Sequence, residues 1–266
     1  MTFFMETDPR LSLVFVNFRS VERLTLALES LFDKEKERLY EVIVVNNDRL
    51  EESPLERLKI LHSFTLLSAE NDGFGAGANC GARVARGDIL GFLNPDVIWQ
   101  DPFLGRVATA LAKAPQSIVG IPLVNQHGKI DPWSAGRAPG LLELCKSNLL
   151  PRRAHSDLAS ADLDWVSGAA LFVSREVFQK VGGFDEAFFL YFEDVDFCVR
   201  AKKIGVTITR DEQSRLFHHG GTSFATRAQQ KEHFRRSQQL YFKKHRSFFE
   251  VCCLKGLHRF LRLLGL

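Results

Sequence analysis

Short apolar runs alternate with segments of helical periodicity along the first half of the chain. Four such runs are residues 11–17 (LSLVFVN), 40–45 (YEVIVV), 64–67 and 88–93 (DILGFL). Strands that alternate with helices form a mostly parallel sheet that helices cover on both faces. The pattern therefore predicts an α/β protein whose ligand binds beyond the carboxyl ends of the strands.

Two polar clusters follow predicted strands at the point where each strand ends. Asn46-Asn47-Asp48 follows the second strand and Asn94-Pro95-Asp96 follows the fourth, so we expect both loops to line one crevice. A carboxylate in such a place suits Mg²⁺ or Mn²⁺, which prefer oxygen ligands and often share them with substrate phosphates. An Asn-Pro-Asp triplet is also common in ordinary turns.

A glycine-rich segment, NDGFGAGANCG at residues 71–81, precedes the fourth predicted strand. Gly75, Gly77 and Gly81 have the spacing G-x-G-x-x-x-G, which differs from the dinucleotide-binding pattern G-x-G-x-x-G. Two interpretations stay open. Backbone amides at a helix start can approach a diphosphate, or the glycines can allow a helix to pack closely.

Three acidic residues, Glu193, Asp194 and Asp196, crowd a predicted helix start among aromatic residues. Acids at a helix N-terminus are favoured by its dipole, but a carboxylate walled by aromatics also has a raised pKa and can act as a general base. Because Asp194 and Asp196 point in different directions on a helix, we expect one site not to use both equally. Of the adjacent His218 and His219, one can face a metal ion.

The last forty residues are strongly basic. Residues 227–266 hold ten Lys and Arg against two Asp and Glu, a charge of +8, which leaves 25 basic and 30 acidic residues, or −5, in the rest. Their apolar residues, from Phe248 to Leu264, alternate with Lys255, Arg259 and Arg262 as in an amphipathic helix at a membrane surface. Packing of this helix on the body and a contact in a homodimer are the alternatives.

Cysteine usage and hydropathy predict a cytoplasmic protein. The five cysteines form no Cys-x-x-Cys pair, so neither a zinc site nor a disulfide framework is indicated. The first ten residues are polar and do not resemble a signal peptide, and no run of about 18 apolar residues occurs.

Six segments, in this order, resemble family 2 glycosyltransferases of the bacterial rhamnosyltransferase-like subgroup. They are LSLVFVNF, VVNND, ENDGFGAGANCGA, FLNPDV, WVSGAALFVSREVFQKVGGFDEAFFLYFEDVDFCVRAKKIG and HHGGTS, from residue 11 to residue 223. The resemblance implies a GT-A fold, an αβα sandwich with a nucleotide-binding part at about residues 1–122 and an acceptor-binding part at about 123–225. The basic amphipathic helical tail, residues 226–266, follows.

The resemblance also implies an activity. A dTDP- or UDP-linked donor would give up rhamnose or another hexose or deoxyhexose to a saccharide or lipid-linked saccharide acceptor, by direct displacement with inversion. The reaction would serve surface polysaccharide synthesis, with the enzyme in the cytoplasm or peripheral at the inner face of the cell membrane.

Matching positions imply residue roles. Asp96 would bind the diphosphate and, with His218, a Mg or Mn ion, and Asp194 would be the catalytic base with Glu193 beside it. Donor contacts are implied for Asn17, Asn46, Asn47, Asn71, Gly75, Asn79 and Asn94, and acceptor contacts for Trp165 and Gly168. Asn46 departs from the pattern, because the family usually has Asp there to accept a hydrogen bond from the pyrimidine; an amide oxygen accepts a weaker one.

Three other functions fit the sequence less well. A non-catalytic nucleotide-sugar-binding partner of another transferase is favoured by Asn46 alone, and the acidic residues and His218 argue against it. A sugar nucleotidyltransferase would need a glycine-rich loop after the first strand, where the chain has Asn17-Phe18-Arg19-Ser20. No nucleic-acid recognition motif is present, so nucleic acid is not expected as a partner.

Overall fold

The secondary structure comes from a computed structural model, which describes residues 10–37, 39–141, 143, 163–219 and 226–263. The strands are β1 Leu11–Asn17, β2 Tyr40–Asn46, β3 Thr65–Ser68, β4 Ile89–Leu93, β5 Val97–Trp99, β6 Ser117–Gly120, β7 Leu123–Val124, β8 Ala135–Gly136, β9 Trp165–Val166, β10 Ala170–Ser174, β11 Thr207–Arg210 and β12 Leu216–His218. The helices are α1 Val21–Lys34, α2 Glu52–Leu61, α3 Phe74–Val84, α4 Leu104–Lys113, α5 Arg175–Val181, α6 Glu193–Lys203, α7 Arg227–His245 and α8 Phe248–Leu263.

The central sheet has the order β11-β6-β10-β4-β1-β2-β3. Its strands run parallel except β10, which pairs antiparallel with both β4 and β6. The prediction of a mostly parallel sheet is therefore confirmed. Because β10 is reversed, the loop that enters β10 lies at the same edge as the loops that leave β1, β2 and β4.

Each face of the sheet has its own apolar core. Val14 and Val16 of β1 face a core that includes residues of α3, α5, α6 and α7, whereas Leu13 and Phe15 face a core that includes residues of α1, α2 and α4. This alternation follows from the two-residue side-chain period of a strand. The αβα sandwich is the arrangement that buries both faces.

Close packing explains the glycines of α3. A Cβ atom at Gly77 would lie 2.7 Å from Cγ1 of Val16, and one at Gly81 would overlap Cγ1 of Val14. Any larger residue would push α3 away from β1. The structure thus supports the helix-packing interpretation of these two glycines.

A small sheet, β5-β12-β7, lies beside the main one. Its strands are too short to show a periodicity, and neither they nor α2 were predicted. In this sheet β12 pairs antiparallel with β5, so that His218 lies opposite Val97. The pairing brings His218 next to the loop that holds Asp96.

The buried carboxylate of Asp196 anchors α7 to the body. It accepts hydrogen bonds from Nε of Arg200 and Nε2 of His245, each at 2.7 Å, and forms an ion pair with Lys244, also at 2.7 Å. Burial alone would raise the pKa of Asp196, but these three partners hold it below its ordinary value. The described part of the tail therefore packs on the body.

His245 is neutral in this arrangement. Its Nε2–H donates to Asp196, and its Nδ1 lies 3.2 Å from Nζ of Lys203, which can only donate. Burial and the neighbouring lysines lower the pKa of His245. The neighbouring Tyr241 and Phe242 are fully buried in the core.

In the described ranges, no helix combines the length and the hydropathy needed to cross a lipid bilayer.

Removal of the Asp196 carboxylate should destabilise the protein. We expect Asp196→Ala to lower the free energy of unfolding by about 1–3 kcal/mol, because the change leaves hydrogen-bond donors of the half-buried Arg200 and His245 without their acceptor. Urea denaturation measures this difference. Asp33→Ala, which removes only exposed ion pairs to Lys34 and Lys36, is the control and should leave stability close to that of the unaltered chain. Equal effects of the two changes would contradict the anchor.

Candidate functional site

The predicted site residues meet at the carboxyl edge of the sheet. The register pairs Ala170, the first residue of β10, with Leu93, the last residue of β4. The backbone N–H of Asn94 then donates to the carbonyl of Ala169 at 3.2 Å. The turn that precedes β10 therefore lies against the loop that carries Asp96.

Asp96 and His218 form a buried pair. Oδ1 of Asp96 lies 3.2 Å from Nε2 of His218, and Oδ2 lies 3.8 Å from the guanidinium of Arg23 on α1, a residue that sequence reasoning missed. Burial opposes the charged form of both groups, but their mutual hydrogen bond lowers the pKa of Asp96 and raises that of His218. The hydrogen bond thus favours the charged form of each partner, and His218 would have to lose its proton before it could bind a metal ion.

This pair fits a divalent cation in its chemistry. A carboxylate and an imidazole are suitable ligands, and Oδ2 of Asp131 lies 4.0 Å from the buried Nδ1 of His218, where an acid commonly orients a metal-binding histidine. Within the described residues no group of three or more such side chains is assembled. The protein thus offers two ligands, and phosphate oxygens and water would supply the others.

Glu193 and Asp194 lie at the start of α6, on the other side of the turn before β10. The backbone N–H of Gly168 donates to Oδ2 of Asp194 at 2.8 Å, and that of Val195 donates to Oδ1 at 2.8 Å. Oε2 of Glu193 is buried and has no hydrogen-bond partner among the described residues. Asp196 of the same helix points to α7, so the expected difference in direction between Asp194 and Asp196 is observed.

The two acids differ in their environment. Burial is the main cause that raises the pKa of Glu193 well above its ordinary value, and the negative charge of Asp194 raises it further. Burial also raises the pKa of Asp194, but the amides of Gly168 and Val195 oppose this by stabilising the anion. Of the pair, Glu193 therefore keeps its proton to higher pH, while the half-buried Asp194 is the first to ionise.

The backbone before these acids is strained. Tyr191 and Phe192 have φ angles of 68° and 69°, in the left-handed region that large side chains rarely adopt. Phe192 packs against Phe234 and Tyr241 of α7, which hold it there. Strain of this kind is concentrated at functional sites.

The asparagines at the ends of β1 and β2 divide into two groups. Asn17 and Asn47 are buried, and the Oδ1 atom of each lacks a hydrogen-bond partner in the described part of the chain. Oδ1 of Asn46, in contrast, accepts from Nδ2 of Asn17 and from the N–H of Asp48, and its amide donates to the carbonyl of Asp48. Asn17 and Asn47 hence offer open acceptors, whereas Asn46 is engaged in its own turn.

The N-terminus of α3 is covered by protein. Phe74 N–H donates to the carbonyl of Phe189 at 3.0 Å, and a Cβ atom at Gly73, where φ is 105°, would overlap that carbonyl. Gly75 packs against Phe184 and Glu193. This contact restricts the approach of a diphosphate to these amides.

Asn71 and Asn79 flank this helix start. Asn71 is half-buried in the preceding loop. The amide of Asn79 donates to the carbonyl of Phe184 and to Glu186, and its oxygen accepts from the N–H of Phe184. These contacts give Asn79 a role in holding the 183–186 loop, and they leave its predicted donor contact without support.

The two predicted acceptor residues differ as well. Trp165 is buried, and its indole N–H donates to the carbonyl of Arg137, so it supports the site from within the core. Gly168 directly contacts Asp194. The tryptophan that reaches the surface here is Trp133, which sequence reasoning missed; its sequence signal is the turn Asp131-Pro132 after β7.

Of the HHGGTS segment, His218 and His219 are described, and residues 220–225 lie outside the described residues. Asn94 is half-buried, with its amide 3.4 Å from Nε2 of His218.

Comparison with known families gives two matches. Residues 12–182 match the profile described as "Glycosyl transferase family 2". Residues 161–222 match the profile described as "N-terminal domain of galactosyltransferase". Between them the matches include every predicted site residue.

Two curated relatives carry transferase names. The Haloferax volcanii low-salt glycan biosynthesis hexosyltransferase Agl10 is 25% identical over 74% of this chain and 63% of its own length. The Mycobacterium tuberculosis N-acetylglucosaminyl-diphospho-decaprenol L-rhamnosyltransferase is 30% identical over 47% of this chain and 45% of its own length. The matched regions thus span less than two thirds of both relatives.

Solved structures share the fold. The mannosyltransferase PcManGT from Pyrobaculum calidifontis, in complex with GDP-Man and Mn²⁺, superposes with a TM-score of 0.65 and 16% identity, over 90% of this chain and 64% of its own. The GT-A fold expected from the sequence is thereby confirmed. The first profile alone covers more than half of the chain, and this chain belongs to glycosyl transferase family 2, where it is similar to rhamnosyltransferases.

Proposed function

We propose that the chain is an inverting glycosyltransferase that uses a divalent cation. Its donor is a dTDP- or UDP-linked hexose or deoxyhexose such as rhamnose, and its acceptor is a saccharide or lipid-linked saccharide in surface polysaccharide synthesis. The observation that carries the proposal is the turn before β10. Through Ala169 it contacts the loop of Asp96, and through Gly168 it holds Asp194, so a leaving-group site and a base lie side by side.

On the donor side, Asp96 and His218 are the residues to hold the cation. When bound, a Mg or Mn ion would neutralise the charge that develops on the departing diphosphate. Asn17 and Asn47 offer their buried Oδ1 atoms to N–H groups of the nucleoside, which would relieve the cost of an unsatisfied buried acceptor. The Mn²⁺ and nucleotide sugar in the PcManGT complex support this arrangement.

On the acceptor side, Asp194 accepts the proton of the attacking hydroxyl. The amide of Gly168 fixes the carboxylate and favours its ionised form, while neutral Glu193 avoids a second negative charge in the same pocket. The hydroxyl oxygen then displaces the diphosphate from the opposite face of the anomeric carbon, which inverts its configuration. No covalent intermediate with the enzyme is formed.

Isosteric substitutions distinguish the two acids. Asp194→Asn should reduce the rate of sugar transfer by about 10²–10⁴-fold, because the general base is lost, while donor affinity by calorimetry stays unchanged. Glu193→Gln should cost far less, since an amide resembles a protonated carboxyl group. The reverse order of effects would transfer the base role to Glu193. Near-normal sugar transfer by Asp194→Asn would show that Asp194 is not the general base.

The raised pKa of Asp194 also predicts a pH profile. The proton must leave Asp194 before it can act as a base, so kcat/KM should fall as the pH drops through this pKa, at a pH above the ordinary value of 3.8. A profile that stays flat below that value would contradict the assignment.

Asp96→Ala should weaken the metal-dependent part of donor binding by about 10–100-fold, the scale seen when metal-site partners are removed. Calorimetry with UDP- and dTDP-sugars, in Mn²⁺ and in EDTA, measures this part. Asp101→Ala, an exposed acid beyond β5, is the control and should bind like the unaltered chain. Unchanged affinity of Asp96→Ala would refute the ligand role.

We also propose that α8 contacts a membrane surface that contains anionic lipid. Val251, Leu254 and His258 bury one side of α8 against the body. The opposite side exposes Phe248 (84%), Phe249 (70%), Phe260 (58%) and Leu263 (86%). Leu257 and Leu261, predicted for the apolar face, are half-buried, and Leu264 lies outside the described residues.

Exposed basic side chains of Lys255 and Arg259 lie on the same helix. Large aromatic residues beside basic ones are typical of helices that lie in a membrane interface, where the rings enter the lipid and the cations meet its phosphates. Such a contact would bring the enzyme to a lipid-linked acceptor, the substrate class named for the mycobacterial relative.

Co-sedimentation with vesicles tests this contact. The triple change Phe248→Ser, Phe249→Ser and Phe260→Ser should remove most binding to phosphatidylglycerol vesicles, and salt should weaken binding of the unaltered chain. The matched control, Ile60→Ser with Leu61→Ser, alters two exposed apolar residues of α2 and should retain binding. Equal binding by both variants would contradict the membrane contact. A lower oligomeric state of the triple variant would assign the face to a homodimer.

A further inference from the structure

One large aromatic side chain at the site has no role in the reaction as proposed above. Trp133 is 48% exposed, whereas Trp99 and Trp165 are 1% and 5% exposed. An exposed tryptophan leaves a large apolar ring in water, and tryptophan is enriched where proteins bind ligands. We therefore expect the exposed ring of Trp133 to contact a ligand.

The backbone of Trp133 is held rigidly. Its N–H donates to Oδ1 of Asp131 at 2.9 Å, and the N–H of Ser134 donates to the Asp131 carbonyl at 3.0 Å. Asp131 in turn donates its N–H to the carbonyl of Leu123 in β7. The indole is thus attached to a fixed turn.

Contacts on both sides place Trp133 between the two halves of the site. Oδ2 of Asp131 lies 4.0 Å from His218, toward the donor half. The carbonyl of Ser134 accepts from the N–H of Ser167, next to Gly168 and so to the base. Asp131 and Ser134, which make these two contacts, lie two residues before and one residue after Trp133 in the sequence.

The indole is supported by a row of aromatic rings. Its centroid lies 5.6 Å from that of Phe234, at 78°. Phe234 also contacts Tyr191 and Phe192, which directly precede Glu193 and Asp194. The ring orientation is therefore coupled to the segment that positions the acids.

The order of strands assigns Trp133 to the acceptor. Asn17 and Asn47, the open acceptors for a nucleoside, lie at the ends of β1 and β2, on one side of Asp96. Trp133 is connected to the turn before β10, on the other side of Asp96. A molecule that contacts both Trp133 and Asp194 is thus the one that supplies the attacking hydroxyl.

We propose that Trp133 is a stacking platform for a pyranose ring of the acceptor. The proposal rests on the glycosyltransferase function above and names its acceptor as a saccharide at the reacting end. The C–H face of a pyranose is apolar and matches an indole, while the hydroxyl groups at its rim stay free to hydrogen-bond. Stacking would fix the plane of the sugar and direct one hydroxyl to Asp194.

Iodide quenching of tryptophan fluorescence tests binding without turnover. Because Trp99 and Trp165 are buried, iodide quenches mainly Trp133. In the full chain, methyl pyranosides that serve as acceptors should protect this fluorescence, and protection should be absent in Trp133→Leu. If no methyl pyranoside tested protects the fluorescence of Trp133 from iodide, the stacking platform is refuted.

Kinetics then separate a platform from a structural role. Trp133→Leu should raise the KM for the acceptor about three- to tenfold, with little change in donor affinity by calorimetry, and Trp133→Phe should restore most of the loss because it keeps an aromatic face. A lower melting temperature with an unchanged acceptor KM would overturn the proposal in favour of packing against Phe234. Failure of the proposed function itself would be visible separately, as no transfer by the unaltered chain with any donor.

Discussion

The site depends on one reversed strand. β10 lies antiparallel between β4 and β6, so its N-terminal end meets the carboxyl ends of the strands around it. If β10 ran parallel to its neighbours, its C-terminal end would lie at this edge of the sheet, and the turn at residues 167–169 would lie at the opposite edge. With β10 reversed, Gly168 can bind Asp194 while Ala169 binds the loop of Asp96. The proposed donor and acceptor sites are thereby joined within three residues.

Local environment separates three acids that stand close together in the sequence. Glu193 is buried with no cationic partner among the described residues and favours its neutral form. Asp194 is half-buried and held by backbone amides. Asp196 is fully buried and surrounded by Arg200, Lys244 and His245. Helix geometry points them in different directions. In the proposed mechanism, one turn of α6 thus serves both the reaction and the attachment of α7.

The sheet could be predicted from the sequence because long buried strands have an unmistakable apolar pattern. The strand ends followed from it, while the acids at residues 193–196 were identified by their clustering at a predicted helix start among aromatic residues. What could not be predicted depends on contacts distant in sequence. The burial of Trp165 and the exposure of Trp133 are decided by β8, β9 and α7, and the engagement of Asn46 is decided by the turn it forms with Asp48. Strands of two or three residues, such as β7 and β12, carry no period to detect.

Gly73 fits the segment before α3 closely against the segment before α6. It lies in the half proposed to bind the nucleotide, yet the space where its side chain would stand is filled by the carbonyl of Phe189, from the half proposed to bind the acceptor. A chimera that joined one relative's first half to another's second half would have to preserve this fit to the width of a methyl group. Both sides of this contact would therefore have to come from the same relative.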